Sequence, residues 1–457
     1  MKASLASANA NAAELEKLAK AAGEVEKLKQ TIREMEDEFS TNSGGLQKQL
    51  DDMRTKYLAE QEKVFNLESE RRKLQNTIQE LRGNVRVFAR LRPFLPNDKQ
   101  REGEESIVTV GMDTLSMSIK DPKNAGSEHK FSFDRAFAAH EGQEEVFKEV
   151  SEFVQSALDG YNVTLFSYGQ TGSGKTHTMQ GSGSEQMRGI IPRAIEQVGM
   201  MKAKLEAQGW EFVMHITFVE IYNEVLQDLL NDSGKEQSLR ILRDAYGMTE
   251  IEDVTKVLCS PEDKEQFTSI LNVAAKNRSV AKTDMNAESS RSHSIFTLHM
   301  VARNAKQNAV LRGQMNLVDL AGSERVDRSG AKGQALAEAK NINKSLSCLT
   351  GVFSAINGKS QHIPFRDSKL TYLLQPSFSG DGKTLMMINM SPTERSAFET
   401  LSTLRFGKMV NSCELGQATR KLNDIGEDAK KTGGGGRSHS PVPGGVKKKT
   451  PGKSKKK

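Results

Sequence analysis

Apolar residues in the N-terminal part of the chain recur at alternating steps of four and three. Leu46, Leu50, Met53, Tyr57, Val64, Leu67, Leu74, Ile78 and Leu81 fall on one seam, with polar Glu60 and Arg71 at two further seam positions. An unbroken a/d repeat in heavily charged surroundings predicts a coiled-coil helix. At ~1.5 Å per residue, Leu46 to Leu81 makes a rod of about 54 Å, short for a stalk and expected of a piece of a longer protein. Leu15, Leu18, Ala22, Val25, Leu28, Ile32, Met35 and Phe39 repeat similarly, with one phase slip between Val25 and Leu28. Ser40-Thr41-Asn42-Ser43-Gly44-Gly45 lies between the two segments and predicts a break or hinge.

The periodicity then changes. Val85 to Leu91 reads as a strand closed by Arg92-Pro93. Strands and helices alternate from there to about Gly416, the pattern of an α/β domain. Strands are expected at Phe212–Glu220, Ser294–Ala302 and Met315–Asp319, and helices near Glu262–Lys276 and Ala335–Ile356. Beyond Gly416 the pattern fades into a glycine linker, Gly433 to Gly436, and a Lys/Pro/Gly run from Val446 to Lys457. The expected organisation is a helical segment with hinge over 1–45, a coiled-coil stalk and neck over 46–82, an α/β domain over 83–416, and a basic disordered tail over 417–457.

Charge supports that division. The net charge of the 457 residues is +6. Twelve basic and three acidic residues lie between Arg420 and Lys457, so this stretch carries +9 and the remainder −3. The tail is therefore a candidate for an acidic partner surface, or else a solubilising extension. Cys259, Cys348 and Cys413 show neither metal spacing nor a disulfide framework, which fits a reducing compartment. No secretory leader is expected from Met1 to Ala13, and no apolar run approaches the ~18 residues of a membrane span.

The chemistry concentrates in Gly169-Gln170-Thr171-Gly172-Ser173-Gly174-Lys175-Thr176, directly after an apolar run from Val163 to Tyr168. Two glycines four residues apart followed by Lys-Thr form a phosphate loop: backbone amides face a polyphosphate, Lys175 reaches the β- and γ-phosphates, and Thr176 ligates Mg²⁺. Asp319-Leu320-Ala321-Gly322-Ser323-Glu324 follows a second strand. Asp319 at the strand end can hold Mg²⁺ through water, and Gly322 can offer its amide to the γ-phosphate. Asn286-Ala287-Glu288-Ser289-Ser290-Arg291-Ser292-His293 precedes a third strand.

In this order, and together with Arg90-Leu91-Arg92-Pro93, Gly160-Tyr161-Asn162, His362-Ile363-Pro364-Phe365-Arg366-Asp367-Ser368-Lys369-Leu370-Thr371 and Glu399-Thr400-Leu401, these motifs resemble the kinesin motor domain over residues 83–416. The resemblance implies a P-loop motor fold with a central, mostly parallel eight-stranded sheet flanked by helices. It implies Arg90, Arg92 and Pro93 against the adenine, with His177 on the far side. Ser289 and Ser290 become switch I groups at the γ-phosphate and Mg²⁺. Arg291 and Glu324 form the salt bridge that closes the switches, with Glu324 accepting the proton of the attacking water through a second water. Tubulin is acidic, so a basic track face is required; its candidates are Arg325, Arg328, Lys332, Lys340, Lys344, Arg366 and Lys369. A coiled coil ahead of the motor is the arrangement of C-terminal-motor kinesins, which move toward microtubule minus ends. The expected protein is a microtubule-stimulated ATPase using ATP and Mg²⁺, dimeric through its coiled coil with itself or another chain. Its expected setting is the cytoplasmic microtubule cytoskeleton, with the spindle as one candidate. The rival readings are a microtubule tether or filament-end regulator, and a phosphate-loop ATPase acting on nucleic acid. The last lacks any base-reading module.

Overall fold

The computed structural model describes residues 2–433 apart from 82, 99, 101–103, 125, 183, 233–236, 281–288, 325–333, 381 and 417. Two compact units separate between Ile78 and Gln79. The first is a helix. Helix α1 (Lys2–Leu81) runs without interruption through the expected hinge at 40–45. Glycine costs about 1 kcal/mol relative to alanine inside a helix, but breaking the helix would require a second nucleation, which is dearer. Thr41 fits the helical state because its Oγ1 donates to the Asp37 carbonyl at 2.9 Å. Val25, Leu28, Ile32, Met35, Phe39, Leu46, Leu50, Met53, Val64, Leu67, Leu74 and Ile78 are all exposed along it.

The second unit begins with β1 (Val85–Leu91), then a small antiparallel sheet of β2 (Val108–Val110), β3 (Ser116–Lys120) and β4 (Glu128–Ser132). β5 (Arg135–Phe137), α2 (Gln143–Leu158), β6 (Asn162–Tyr168), α3 (Lys175–Met179) and α4 (Ile190–Glu206) follow. Next come β7 (Glu211–Tyr222), β8 (Val225–Asp228), the hairpin β9 (Arg240–Arg243) and β10 (Thr249–Glu252), β11 (Val257–Leu258) and α5 (Lys264–Val280). The long strands β12 (His293–Asn304) and β13 (Ala309–Asp319) lead to α6 (Gln334–Asn357), α7 (Lys369–Leu373) and α8 (Gln375–Phe378). β14 (Gly382–Met390), α9 (Ala397–Asn411), β15 (Leu422–Asp424) and α10 (Ile425–Gly433) complete the described chain.

Among the described residues the main sheet runs β11-β7-β12-β13-β6-β14-β1-β5, eight strands in a path, with β8 and β15 added beside β7 and β13. It is mixed rather than mostly parallel. β13, β6, β14, β1 and β5 are parallel neighbours, whereas β13, β12, β7 and β11 are antiparallel. For the β12–β13 pair the reason is connection length: β12 reaches β13 through a four-residue turn, which permits only an antiparallel return.

Side-chain alternation sends the two faces of the sheet into separate cores. Val85, Val87 and Ala89 of β1 join Met386 and Ile388 of β14 under α6, α7 and α9. Phe88, Val163, Leu165, Leu385 and Met387 pack under α2, α4 and α5. The sheet ends that carry the nucleotide motifs thus lie between two helical layers.

Residues 418–433, expected in a disordered tail, are ordered. β15 pairs antiparallel with β13. The Lys421 amide donates to the Gly160 carbonyl at 2.8 Å, and the Arg312 amide donates to the Lys421 carbonyl at 3.0 Å. Asp428 of α10 is buried and takes a bidentate pair of bonds from Arg312 at 2.8 and 2.9 Å. The Tyr246 hydroxyl, in the β9–β10 turn, donates to the same carboxylate. The Lys-rich run from Val446 to Lys457 lies outside the described residues.

Candidate nucleotide site

The phosphate loop joins β6 to α3. Gly169, Gly172 and Gly174 have φ of +148°, +76° and +99°, values that let successive amides turn inward. A Cβ on Gly169 would collide with the Asn389 carbonyl, so the loop also needs glycine for its approach to β14. Lys175 is buried and its Nζ donates to the Gln170 carbonyl at 3.0 Å. Burial lowers its pKa from the usual lysine value, and the charges of Asp319 and Glu324 oppose that.

Asp319, at the end of β13, comes to this loop through the parallel β6–β13 pairing. Its Oδ2 accepts from Thr176 Oγ1 at 2.6 Å and its Oδ1 from Ser167 Oγ at 3.1 Å. A carboxylate and a hydroxyl at one point are hard oxygen donors suited to Mg²⁺. No cluster of three His, Cys, Asp or Glu side chains occurs among the described residues. Ser173 Oγ and Gln170 Oε1 in the loop are buried without a hydrogen-bond partner, as groups awaiting a polar ligand would be.

Gly322 follows β13. A Cβ there would collide with the Thr171 hydroxyl and the Glu324 carboxylate. Its amide, expected to meet the γ-phosphate, donates to the Ser290 carbonyl at 2.8 Å. Ser289, Ser290 and Arg291 form a short 3-10 turn at the entry to β12. Glu324, expected to pair with Arg291, has both oxygens on Thr171: Oε2 accepts from the backbone amide at 2.8 Å and Oε1 from Oγ1 at 2.6 Å.

A small pocket beside the loop is lined by Arg90, Arg92, Pro93 and His177, the expected adenine groups, and by Gly174 of the loop itself. The two arginines are not free there. Arg90 is buried and donates to Gln143 Oε1 at 2.8 Å and Thr178 Oγ1 at 2.9 Å. Burial lowers its pKa to about 10. Arg92 donates through Nε to the Gly172 carbonyl at 2.7 Å and forks onto Asp98 at 2.6 and 2.9 Å. That fork holds the Asp98 carboxyl down at about 2. Burial, and secondarily the charge of Arg90, lowers the pKa of His177.

Sequence reasoning missed Asp98, Gln143 and Thr178, which fix the arginines, and the role of His293. His293 is wholly buried between Ala321 and Ser345. Its place inside the Ser289–His293 motif was the available signal.

Of the expected track residues, Lys344 on α6 and Arg366 and Lys369 around α7 are exposed. The loop before α7 explains the last two. Phe365 is buried, Thr371 Oγ1 donates to its carbonyl at 2.7 Å, and Ser368 Oγ caps the helix by accepting from the Thr371 amide at 3.1 Å. The charged neighbours are left facing outward. Arg325, Arg328 and Lys332 lie outside the described residues, as does the side chain of Lys340.

The kinesin motor domain pattern matches residues 90–413. The chain is 46% identical over 381 residues to Kinesin-like protein KIN-14D of Arabidopsis thaliana, covering 79% of this chain and 48% of that protein. It is 41% identical over 410 residues to Carboxy-terminal kinesin 2 of Xenopus laevis, covering 87% of this chain and 61% of that one. It therefore spans about half to three fifths of these relatives. Among solved structures, the C-terminal motor and motor homology domain of Kar3Vik1, fused to a synthetic heterodimeric coiled coil, superposes with a TM-score of 0.71 at 41% identity. That match covers 84% of this chain and 98% of that one. The motor domain of Saccharomyces cerevisiae Kar3 gives 0.63 at 44% identity, covering 72% and 100%. A phosphate loop, a strand-end aspartate and a glycine-acid segment assembled on this mixed sheet, with such matches, place the chain in the kinesin motor-domain family.

Proposed function

We propose that the chain is a microtubule-stimulated ATPase that converts ATP hydrolysis into movement toward microtubule minus ends. One observation carries the catalytic part: Thr176, Asp319, Thr171, Glu324, Gly322 and Ser290 converge at the phosphate loop through short hydrogen bonds. The similarity to KIN-14 and Kar3 motors, and the heptad helix ahead of the motor, support the direction.

The loop amides and Lys175 hold the polyphosphate, while Arg92, Pro93 and His177 flank the base. Thr176, Ser290 and Asp319 would hold Mg²⁺, which when bound would supply positive charge against that developing on the phosphate oxygens. Hydrolysis then needs two partner exchanges. Glu324 leaves Thr171 and pairs with Arg291, excluding bulk water and lining up the attacking water. Gly322 gives up the Ser290 carbonyl for an oxygen of the terminal phosphate. Both exchanges are local, so a single phosphate can bias them. Lys344, Arg366 and Lys369 belong to the basic face that meets acidic tubulin, with Arg325, Arg328, Lys332 and Lys340 as further candidates. The α1 seam supports dimerisation, and the basic tail a second acidic contact. No described helix is long and apolar enough to cross a membrane, and the proposed location is the microtubule cytoskeleton.

The test is steady-state ATPase with and without microtubules, followed by gliding of polarity-marked filaments. Stimulated turnover and minus-end-directed gliding are expected. Stimulation without gliding would make the chain a tether or end regulator, and unstimulated turnover would remove the track from the reading.

A further inference from the structure

We infer that His293 is a positioning residue that mechanically joins the phosphate-sensing segment to α6, through one hydrogen bond on each ring nitrogen. The inference rests on the motor reading and adds the residue-level connection between its two ends. Nδ1 accepts the Ala321 amide at 3.1 Å, one residue before Gly322. Nε2 lies 2.7 Å from Ser345 Oγ on α6. The Ser345 hydroxyl donates to the Ile342 carbonyl at 2.8 Å, so it accepts from Nε2–H. These partners fix one neutral tautomer, with no spare donor or acceptor.

The surroundings make the ring a stiff link rather than a passive filler. His293 and Ser345 are each 2% exposed, so neither bond can be replaced by water. The ring stands at the start of β12, clamped between β7 and β13 by strand pairing. Next to it, Ser292 Oγ donates to Glu220, which also takes Arg278 at 2.8 Å; that anchors the strand's first residues to the end of α5. Burial and the Lys175 charge hold His293 down at about 3, so the link stays neutral throughout the working pH range. A displacement of the Ala321–Gly322 backbone must either break the Nδ1 bond or push the ring toward Ser345. Lys344, the neighbour of Ser345 on α6, faces solvent. Movement of a buried serine on this helix is therefore movement of an exposed lysine.

Ser345→Ala and Ser345→Thr separate this role from simple packing, because Ser345 touches no group assigned to nucleotide or track. In Ser345→Ala we expect basal ATPase and ATP affinity within twofold of wild type, and the maximal microtubule-stimulated rate to fall about tenfold. Ser345→Thr keeps the hydroxyl and should recover stimulation. His293→Gln combined with Ser345→Ala should be no worse in stimulation than the more damaging single change, since both cut one link. Thermal melts establish that each variant is folded. Full stimulation in folded Ser345→Ala, equal losses of basal and stimulated rates, or multiplicative losses in the double variant would each overturn the link. A wild-type protein that microtubules do not stimulate would instead sink the motor reading itself.

Discussion

Glu324 and Lys175 stand about the same loop yet answer to different steps, and substitution separates them. Lys175 is a buried charge with a loop carbonyl as its described hydrogen-bond partner; its contribution belongs to ground-state binding of a polyphosphate. Lys175→Ala should weaken ATP binding by roughly 10- to 100-fold, the scale of a charge-assisted hydrogen bond, measured by titration with a fluorescent nucleotide. Glu324→Ala should leave that affinity nearly unchanged while lowering hydrolysis by about 10²–10⁴, the range for a proton acceptor. Wild-type turnover in Glu324→Ala would remove it from the chemistry. His293 yields a prediction in pH. Its folded pKa of about 3 lies below the ordinary histidine value of 6.5, so the unfolded chain binds a proton that the native one refuses. The stabilisation is complete above about pH 6.5 and is lost as pH falls toward 3, at up to ~1.4 kcal/mol per pH unit. Buried His299, held at about 4, behaves the same way. Urea midpoints at pH 7.5 and 5.5 should therefore converge between wild type and His293→Gln as pH drops; parallel curves would contradict the burial account.

At the scale of elements, legibility followed the range of the interaction. β1 was readable from the local run Val85–Leu91, and the lead into the phosphate loop to within one residue, because a buried strand announces itself by composition. The loop was readable because its chemistry is contiguous. The groups that hold the site were not. Arg90 meets Gln143 and Thr178, and His293 meets Ser345, across 53, 88 and 52 positions of sequence. No short-range pattern encodes such pairs. β15 was missed for the same reason. Three residues, Leu422–Asp424, have no periodicity to detect, and β13 supplies the ladder that orders them. α10 then depends on Asp428 meeting Arg312 and Tyr246. Asp428→Asn removes a charge from this cluster and should destabilise the segment by roughly 2 kcal/mol. Hydrogen exchange at 422–433 should rise by about 10- to 30-fold while β6 and β14 stay protected. Unchanged exchange there would mean that the strand pairing alone holds the segment.

At the scale of the whole molecule, α1 presents an apolar seam that a single chain leaves in water. Leu46 is 67% exposed, Met53 64% and Leu67 56%, all at a/d positions of the repeat. Burying a leucine stabilises by about 1.5–3 kcal/mol, so several heptads of such positions suffice to hold two helices together. Glu60 and Arg71 oppose this at the same seam; they limit affinity and disfavour slipped registers, since a shift would set them against apolar partners. Sedimentation equilibrium should accordingly give twice the 50.4 kDa of one chain. Leu50→Lys with Leu67→Lys removes four buried leucines per dimer, about 6–12 kcal/mol by the same figure, and should leave a monomer. Because the substitutions lie on α1, outside residues 90–413 that match the motor domain, the monomer should retain basal ATPase. Glu60→Leu should act oppositely and tighten the pair. A wild-type chain that sediments as a monomer at tens of micromolar would show that the seam needs a different chain, and mixing with candidate heptad partners would then identify it by the gain in mass.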